Sequence, residues 1–266
     1  MNDIISYDEL FNKEDNGVFI PFIVAGDPDY NTSLEIVKTL ADNGADALEI
    51  GFPFSDPVAD GKTVQDANLR VLNNKMTIEK SMQFLKDIRK ITNIPIGLLL
   101  YYNLVYNYGI NEFYEKLSEI GVNGVLIADL PPEEADPVIK SSQKYNINQI
   151  FIAAQSTTNE RLEKLTKIAS GFIYVVSIMG VTGTRNNIEN NTTDMIKRLQ
   201  KHTNTPLCVG LGISKPEHIK EVLNAGANGA IVGSAIINII KDNQSNKEEM
   251  LKKIKEYVKE LKKATL

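Results

Sequence analysis

Leu48-Glu49-Ile50-Gly51-Phe52-Pro53-Phe54-Ser55-Asp56-Pro57-Val58-Ala59-Asp60-Gly61 is the stretch on which the reading of this chain turns. Ala47 to Ile50 is a short apolar run broken by one carboxylate. It follows a helical pattern stopped by Gly44, so it predicts a buried strand. The prolines, glycines and aspartates that come next punctuate the chain and predict a loop. A carboxylate at the end of a buried strand is costly to keep charged, and without a partner its pKa rises. A loop that folds back brings Asp60 opposite Glu49, and two carboxylates in different surroundings divide acid and base roles. Taken singly, Glu49 reads as a satisfied strand end, and Asp56 and Asp60 as turn or cap residues. The whole string is more specific than its parts.

Around this stretch strands and helices alternate. Strands are predicted over 18–24, 47–50, 95–100, 124–128, 149–153, 172–176, 207–209 and 229–232. Helices are predicted over 63–73, 77–91, 112–120, 133–145, 159–169, 192–201 and 215–224, with one more between Leu34 and Gly44. Ser6-Tyr7-Asp8-Glu9 is a capping box that opens a short N-terminal helix to about Asn12. A weak repeat supports the pattern: Asn43 to Gly51, Ile120 to Ile127 and Ala225 to Gly233 each stop a helix at Gly, turn on polar residues and enter a buried strand. Short connections and continuous apolar strands describe a parallel sheet wrapped by helices. Eight such units predict a closed (β/α)₈ TIM barrel rather than an open sheet. No linker interrupts it, so residues 1–266 are expected to form one domain.

Composition narrows the function. The chain has 266 residues, a net charge of -5 and one cysteine. An acidic balance argues against nucleic acid as a partner. A lone Cys208 excludes an internal disulfide and reads as a small core residue. His202 and His218 lack metal-ligand spacing, so no metal site is expected. No apolar run approaches membrane-spanning length, and Met-Asn-Asp opens no signal peptide, so a cytoplasmic protein is expected. The segment from Lys247 to Leu266 sets Met250, Leu251, Ile254, Val258 and Leu261 on one face and predicts a helix packed on the barrel exterior.

In a barrel the chemistry sits where the strands end. Glu49 and Asp60 fall on that face. Tyr174, within the sixth strand, reads equally as a residue of the mouth or as a core aromatic with a satisfied hydroxyl. Glycine-rich turns follow the last three strands: Gly180-Val181-Thr182-Gly183, Gly210-Leu211-Gly212-Ile213-Ser214 and Gly233-Ser234. Glycine lets backbone N–H groups approach an anion. Gly233-Ser234 also opens a short extra helix, Ala235 to Ile240, whose N-terminus favours a phosphate. Carboxylates on one side of the mouth and a phosphate seat on the other suit acid–base chemistry on a small phosphorylated substrate.

The fourteen-residue string resembles the tryptophan synthase alpha subunit position for position. Further matching segments are Pro21-Phe22 with Gly26-Asp27-Pro28, Gly97 to Tyr101, Asn103-Leu104-Val105, Ala128-Asp129-Leu130-Pro131 and the three glycine-rich turns. The resemblance implies retro-aldol cleavage of indole-3-glycerol phosphate to indole and glyceraldehyde 3-phosphate. By it, Glu49 is the acid and base, Asp60 holds the indole N–H, and Tyr174 borders the reacting carbons. Phe22, Leu99, Tyr101, Leu126, Ala128 and Leu211 match the indole pocket. Gly183, Gly212, Gly233 and Ser234 match the phosphate seat, and Thr182 links a closing loop to Asp60. The resemblance also implies a beta subunit in an α₂β₂ heterotetramer, with pyridoxal phosphate in that partner and no cofactor in this chain. Pro53, Asp56, Asn103, Asp129 and Pro131 match partner-facing segments.

The chain departs from the family pattern at Leu211, where an aromatic is frequent, at Tyr102, where a small residue is usual, and at Lys62, where proline is usual. Two other readings compete. A sugar-phosphate epimerase or isomerase usually recruits a metal, lysine or histidine at the strand ends. A non-catalytic activator has no need of the carboxylates.

Overall fold

The computed structural model describes residues 3–12, 16–176 and 185–266, with residues 185–191 described by their backbone alone. Eight parallel strands close into a barrel in chain order. They are β1 (Val18–Val24), β2 (Leu48–Gly51), β3 (Ile96–Leu100), β4 (Gly124–Ile127), β5 (Asn148–Ala153), β6 (Ile173–Val176), β7 (Leu207–Gly210) and β8 (Gly229–Val232). The last pairs with the first, Val18 opposite Gly229. The expected barrel is the observed one, including the N-terminal helix Tyr7–Asn12 and the extra helix Ser234–Asp242 after β8.

Strand alternation assigns the two faces. Along β2, Leu48 and Ile50 point out against the helices and Glu49 points in. All three are buried. The repeated motif proves to be the stitching of the barrel's lower rim. Its stops Gly44, Gly121 and Gly226 all take positive φ, a backbone region that suits glycine. Two residues after each stop, a short polar side chain accepts the N–H of a residue in the neighbouring strand. Asp46 accepts from Phe19 at 2.7 Å, Asn123 from Ile96 at 2.9 Å and Asn228 from Leu207 at 2.9 Å.

Tyr7 plugs the floor. The capping box forms as read, Ser6 and Glu9 each accepting the other's N–H, and it aims the helix at the barrel. Tyr7 is 2% exposed and meets Phe172 edge-on at 5.4 Å. A Cβ on Gly97, Gly124 or Gly171 would lie 2.6, 2.9 or 3.0 Å from its side chain, so these three positions leave the space that the tyrosine fills. Below it, Arg89 donates to the Gly121 carbonyl and the Asn123 side chain, each at 2.7 Å. With no carboxylate beside it, burial lowers the Arg89 guanidinium to about 10.

Three expectations need correction. The sequence reading has no helix at Tyr102–Tyr108, yet one forms there. Its start has no local cap; the Tyr102 N–H is accepted at 2.7 Å by Asp129, 27 residues away. The single helix expected over 133–145 is a 3₁₀ turn, Pro132–Glu134, followed by a helix, Asp136–Lys144. Pro137 has no N–H and sits well only in a first turn, so the helix starts anew around it. The helix expected from Thr192 begins at Arg185.

Tyr7→Ala should lower the unfolding free energy by about 3–5 kcal/mol, the cost of emptying a packed aromatic site. Urea midpoints compared with the exposed control Tyr106→Ala measure this; a Tyr7 loss no larger than the control's would mean that the floor closes without its plug.

Candidate active site

Glu49 sits where the strand ladder crosses the barrel, opposite Phe22 on β1 and Gly97 on β3. It is 3% exposed. Burial pushes its carboxyl up to about 8, and the Asp60 carboxylate adds to the rise. At neutral pH Glu49 therefore holds a proton that an ordinary glutamate has lost. Tyr174 on β6 and Cys208 on β7 feel its charge from across the interior, and burial drives both groups well up. The two lie directly opposite one another. A Cβ on Gly210 would collide with the Tyr174 ring and hydroxyl, so the glycine at the end of β7 gives the tyrosine its place.

Asp60 is less deeply placed, half-buried in the loop after β2. Desolvation raises its pKa, and the Tyr101 hydroxyl and the Asn68 amide pull it back. Asn68 donates to it at 3.4 Å from the helix Lys62–Asn73, and Gln65 on the same helix donates to the Asp60 carbonyl at 2.8 Å. That helix is clamped in turn: Arg70 grips the fully buried Asp27 of the loop after β1 with two bonds, at 3.0 and 2.8 Å. The two carboxylates thus stand in the unlike settings that separate acid from base. Glu49 is dry and unaided, with no hydrogen-bond partner among the described residues, whereas Asp60 is partly wet and hydrogen-bonded.

Of the residues assigned to an indole pocket, Phe22 lies on β1, Leu99 on β3 and Leu126 on β4, with Ala128 just past the end of β4. Phe22 lies in a trough between Gly51 and Gly233, where a Cβ on either would come 2.7 or 2.8 Å from its ring. Leu99 and Leu126 are opposite one another. Leu211 stands at the rim, 54% exposed with φ of 72°. Tyr101 has a structural part besides. It is 2% exposed, stacked on Phe54 at 5.0 Å, and its hydroxyl accepts the Ala59 N–H at 3.0 Å. It braces the loop that carries Asp60.

Gly212 is exposed in a loop with positive φ, and Gly233 opens the helix Ser234–Asp242 without a side-chain cap. Uncapped first-turn N–H groups are what an anion needs. Gly183 and Thr182 lie outside the described residues. Asp56, Asn103 and Asp129 are exposed around the same face, Pro131 is half-buried and Pro53 is buried, so Pro53 shapes its loop from beneath. Among the described residues no cluster of histidine, cysteine or carboxylates could hold a metal ion, and no helix is long and apolar enough to cross a membrane.

The sequence reading passed over Asn68, Gln65 and Ile152. Asn68 carried a signal, a polar side chain on the Val64, Ala67, Val71 stripe of a helix. Ile152, half-buried on β5 opposite Tyr174, extends the apolar wall. As an isoleucine in an apolar strand it carried no signal.

Comparison with known proteins finds related chains. A family model described as tryptophan synthase alpha chain matches residues 9–266. A curated protein named tryptophan synthase alpha chain from Methanothermobacter thermautotrophicus is 53% identical over 260 residues, 98% of this chain and 96% of that one. The structure of the tryptophan synthase a2b2 complex from Pyrococcus furiosus contains a chain that superposes with a TM-score of 0.86 at 37% identity, covering 92% of this chain and 98% of that one. Tryptophan synthase subunit alpha from Legionella pneumophila superposes with a TM-score of 0.89 at 30% identity, over 97% of both chains.

Glu49 also leaves a mark on stability. Its folded pKa of about 8 lies above its ordinary 4.5, so its contribution is fully present below about pH 4.5 and is lost as pH rises through 8. Glu49→Gln stays neutral throughout. Relative to the parent it should gain stability between pH 5 and pH 9, read from urea midpoints at the two values; a difference independent of pH would place a charged carboxylate in that site.

Proposed function

The chain belongs to the tryptophan synthase alpha chain family, and on that premise we propose that Glu49 and Asp60 carry the reaction of the family. That reaction is the cleavage of indole-3-glycerol phosphate to indole and glyceraldehyde 3-phosphate, a lyase step in tryptophan biosynthesis. The observation that carries the assignment of residues is the pairing of a dry, proton-holding Glu49 with a solvated, hydrogen-bonded Asp60 at one side of the barrel mouth.

The roles follow from these environments. Glu49, protonated at neutral pH, gives its proton to indole C3. The ring nitrogen then carries positive charge, and the Asp60 carboxylate holds the N–H and offsets that charge. Glu49, now a carboxylate, takes the proton from the glycerol hydroxyl as the carbon–carbon bond breaks. Its electron pair returns to the ring, and the hydroxyl carbon leaves as the aldehyde. Glu49 ends as it began, protonated. Tyr174 borders the reacting carbons. Phe22, Leu99, Leu126, Ala128 and Ile152 hold the ring, and backbone donors at Gly212, Gly233 and Ser234 hold the phosphate at the far side. Gly183 and Thr182 belong to the same proposal through the family resemblance.

This chemistry needs proton transfer alone, so we place pyridoxal phosphate in the partner and assign no cofactor here. The partner proposed is a beta subunit in an α₂β₂ assembly, as in the Pyrococcus furiosus complex. Asp56, Asn103 and Asp129, with Pro53 and Pro131 shaping their loops, are the proposed contact residues. The exposed Val58 and Tyr106 supply apolar surface on the same segments, at 83% and 65% exposure. A cytoplasmic site of action fits a biosynthetic enzyme of this family.

Cleavage of indole-3-glycerol phosphate by the purified chain, with glyceraldehyde 3-phosphate followed through a coupled dehydrogenase, tests the assignment. Glu49→Gln should lose about 10²–10⁴-fold in kcat, with or without a beta subunit. Retention of activity in the mutant would remove Glu49 from the mechanism. In the parent, kcat should fall as pH rises through about 8, where Glu49 gives up its proton. Asn68→Ala removes a donor that lowers Asp60, so the acid limb of the profile should move to higher pH; an unmoved limb would detach Asn68 from Asp60.

A further inference from the structure

We propose that Tyr257 and His218 are positioning residues for the phosphate seat, holding Ser214 by its carbonyl and its N–H and so fixing the loop that presents Gly212. The inference rests on the reading that Gly212 and the Gly233-Ser234 turn receive the phosphate.

The loop from Leu211 to Lys215 needs such a hold. Leu211 and Gly212 both take positive φ, at 72° and 80°. A leucine adopts that region only where its surroundings determine it. Both residues are exposed, so burial does not hold them. The restraint comes from the far end of the loop. Ile213 is 3% exposed and anchors it to the core. At the next residue, the Ser214 N–H donates to His218 Nδ1 at 3.3 Å, and the Ser214 carbonyl accepts from the Tyr257 hydroxyl at 2.8 Å.

These two grips come from different elements. His218 lies in the first turn of the helix Pro216–Asn224, and Tyr257 reaches across from the C-terminal helix Lys247–Lys263. Both backbone polar groups of one residue are thereby fixed, two positions from the glycine whose N–H is to face the anion. Burial and the nearby Glu260 push the Tyr257 phenol up, so it remains a donor across the working pH range. A seat built from backbone N–H groups works through preorganisation, and a small displacement of the loop weakens it. The C-terminal helix, whose charged outer face suggests only a barrel cover, thus gains a part in substrate binding.

The test uses the full chain with Tyr257→Phe, His218→Ala and His218→Gln, and glycerol 3-phosphate as a competitive probe. Tyr257→Phe and His218→Ala should each raise KM for indole-3-glycerol phosphate and Ki for the probe together, by about three- to tenfold, the effect of one hydrogen bond. Their kcat should stay at the parent value. His218→Gln should restore both constants, because the Gln oxygen accepts a backbone N–H in the same first-turn position. Unchanged KM and Ki, or a fall in kcat at constant KM, would overturn the proposal while leaving the seat where it is. Failure of glycerol 3-phosphate to compete in the parent would remove the seat itself, and the proposal with it. If Tyr257→Phe does not fold, the two His218 variants carry the comparison alone.

Discussion

Putting a carboxyl group inside an apolar barrel is the constraint from which the rest follows. Glu49 has water on almost none of its surface, and an ionised carboxylate in such a place costs several kcal/mol unless it is paired or neutral. Here neutrality is the solution. The nearest charged group is another carboxylate, Asp60, which discourages ionisation further. The interior partners of Glu49 are all groups that stay neutral there: the phenols Tyr7 and Tyr174 and the thiol Cys208. A single arginine facing Glu49 would have made it an ordinary ion-paired glutamate and removed its acid function.

Asp60 answers a different requirement with a different construction. It is held in a loop and supplied with donors, the Asn68 amide and the Tyr101 hydroxyl. Those donors are themselves held by distant anchors. Tyr101 comes from the end of β3 and is stacked on Phe54. Asn68 comes from a helix whose Arg70 is locked to Asp27 at the end of β1. Three consecutive strand ends therefore cooperate to place one carboxylate, and the last two strands contribute the anion seat.

Much of this was legible because its causes are local. The apolar strand runs, the glycine stops and the capping box at Ser6 to Glu9 depend on residues within a few positions of one another; Glu49, read as a strand end, is instead the second residue of β2. What escaped depends on contacts across the chain. The helix Tyr102–Tyr108 starts on a cap supplied by Asp129, so nothing in its own sequence announces it. The bracing part of Tyr101, stacked on Phe54 and bonded to Ala59, likewise rests on contacts that its own stretch does not show. Ile152 is one isoleucine among many, and only the register with Tyr174 distinguishes it.

The plugged floor bears on how such a chain can diverge. Gly97, Gly124 and Gly171 are spread over three separate segments, yet all three face the same ring. Side chains that share one partner do not respond to substitution independently. An alanine at Gly97 meets the tyrosine hydroxyl and little else, whereas one at Gly124 also meets Ile150, and one at Gly171 also meets Asn148 and keeps a positive φ. At Gly97, then, the route to a different floor runs through the plug first and the glycine afterwards, an order imposed by geometry and not by selection on the site above.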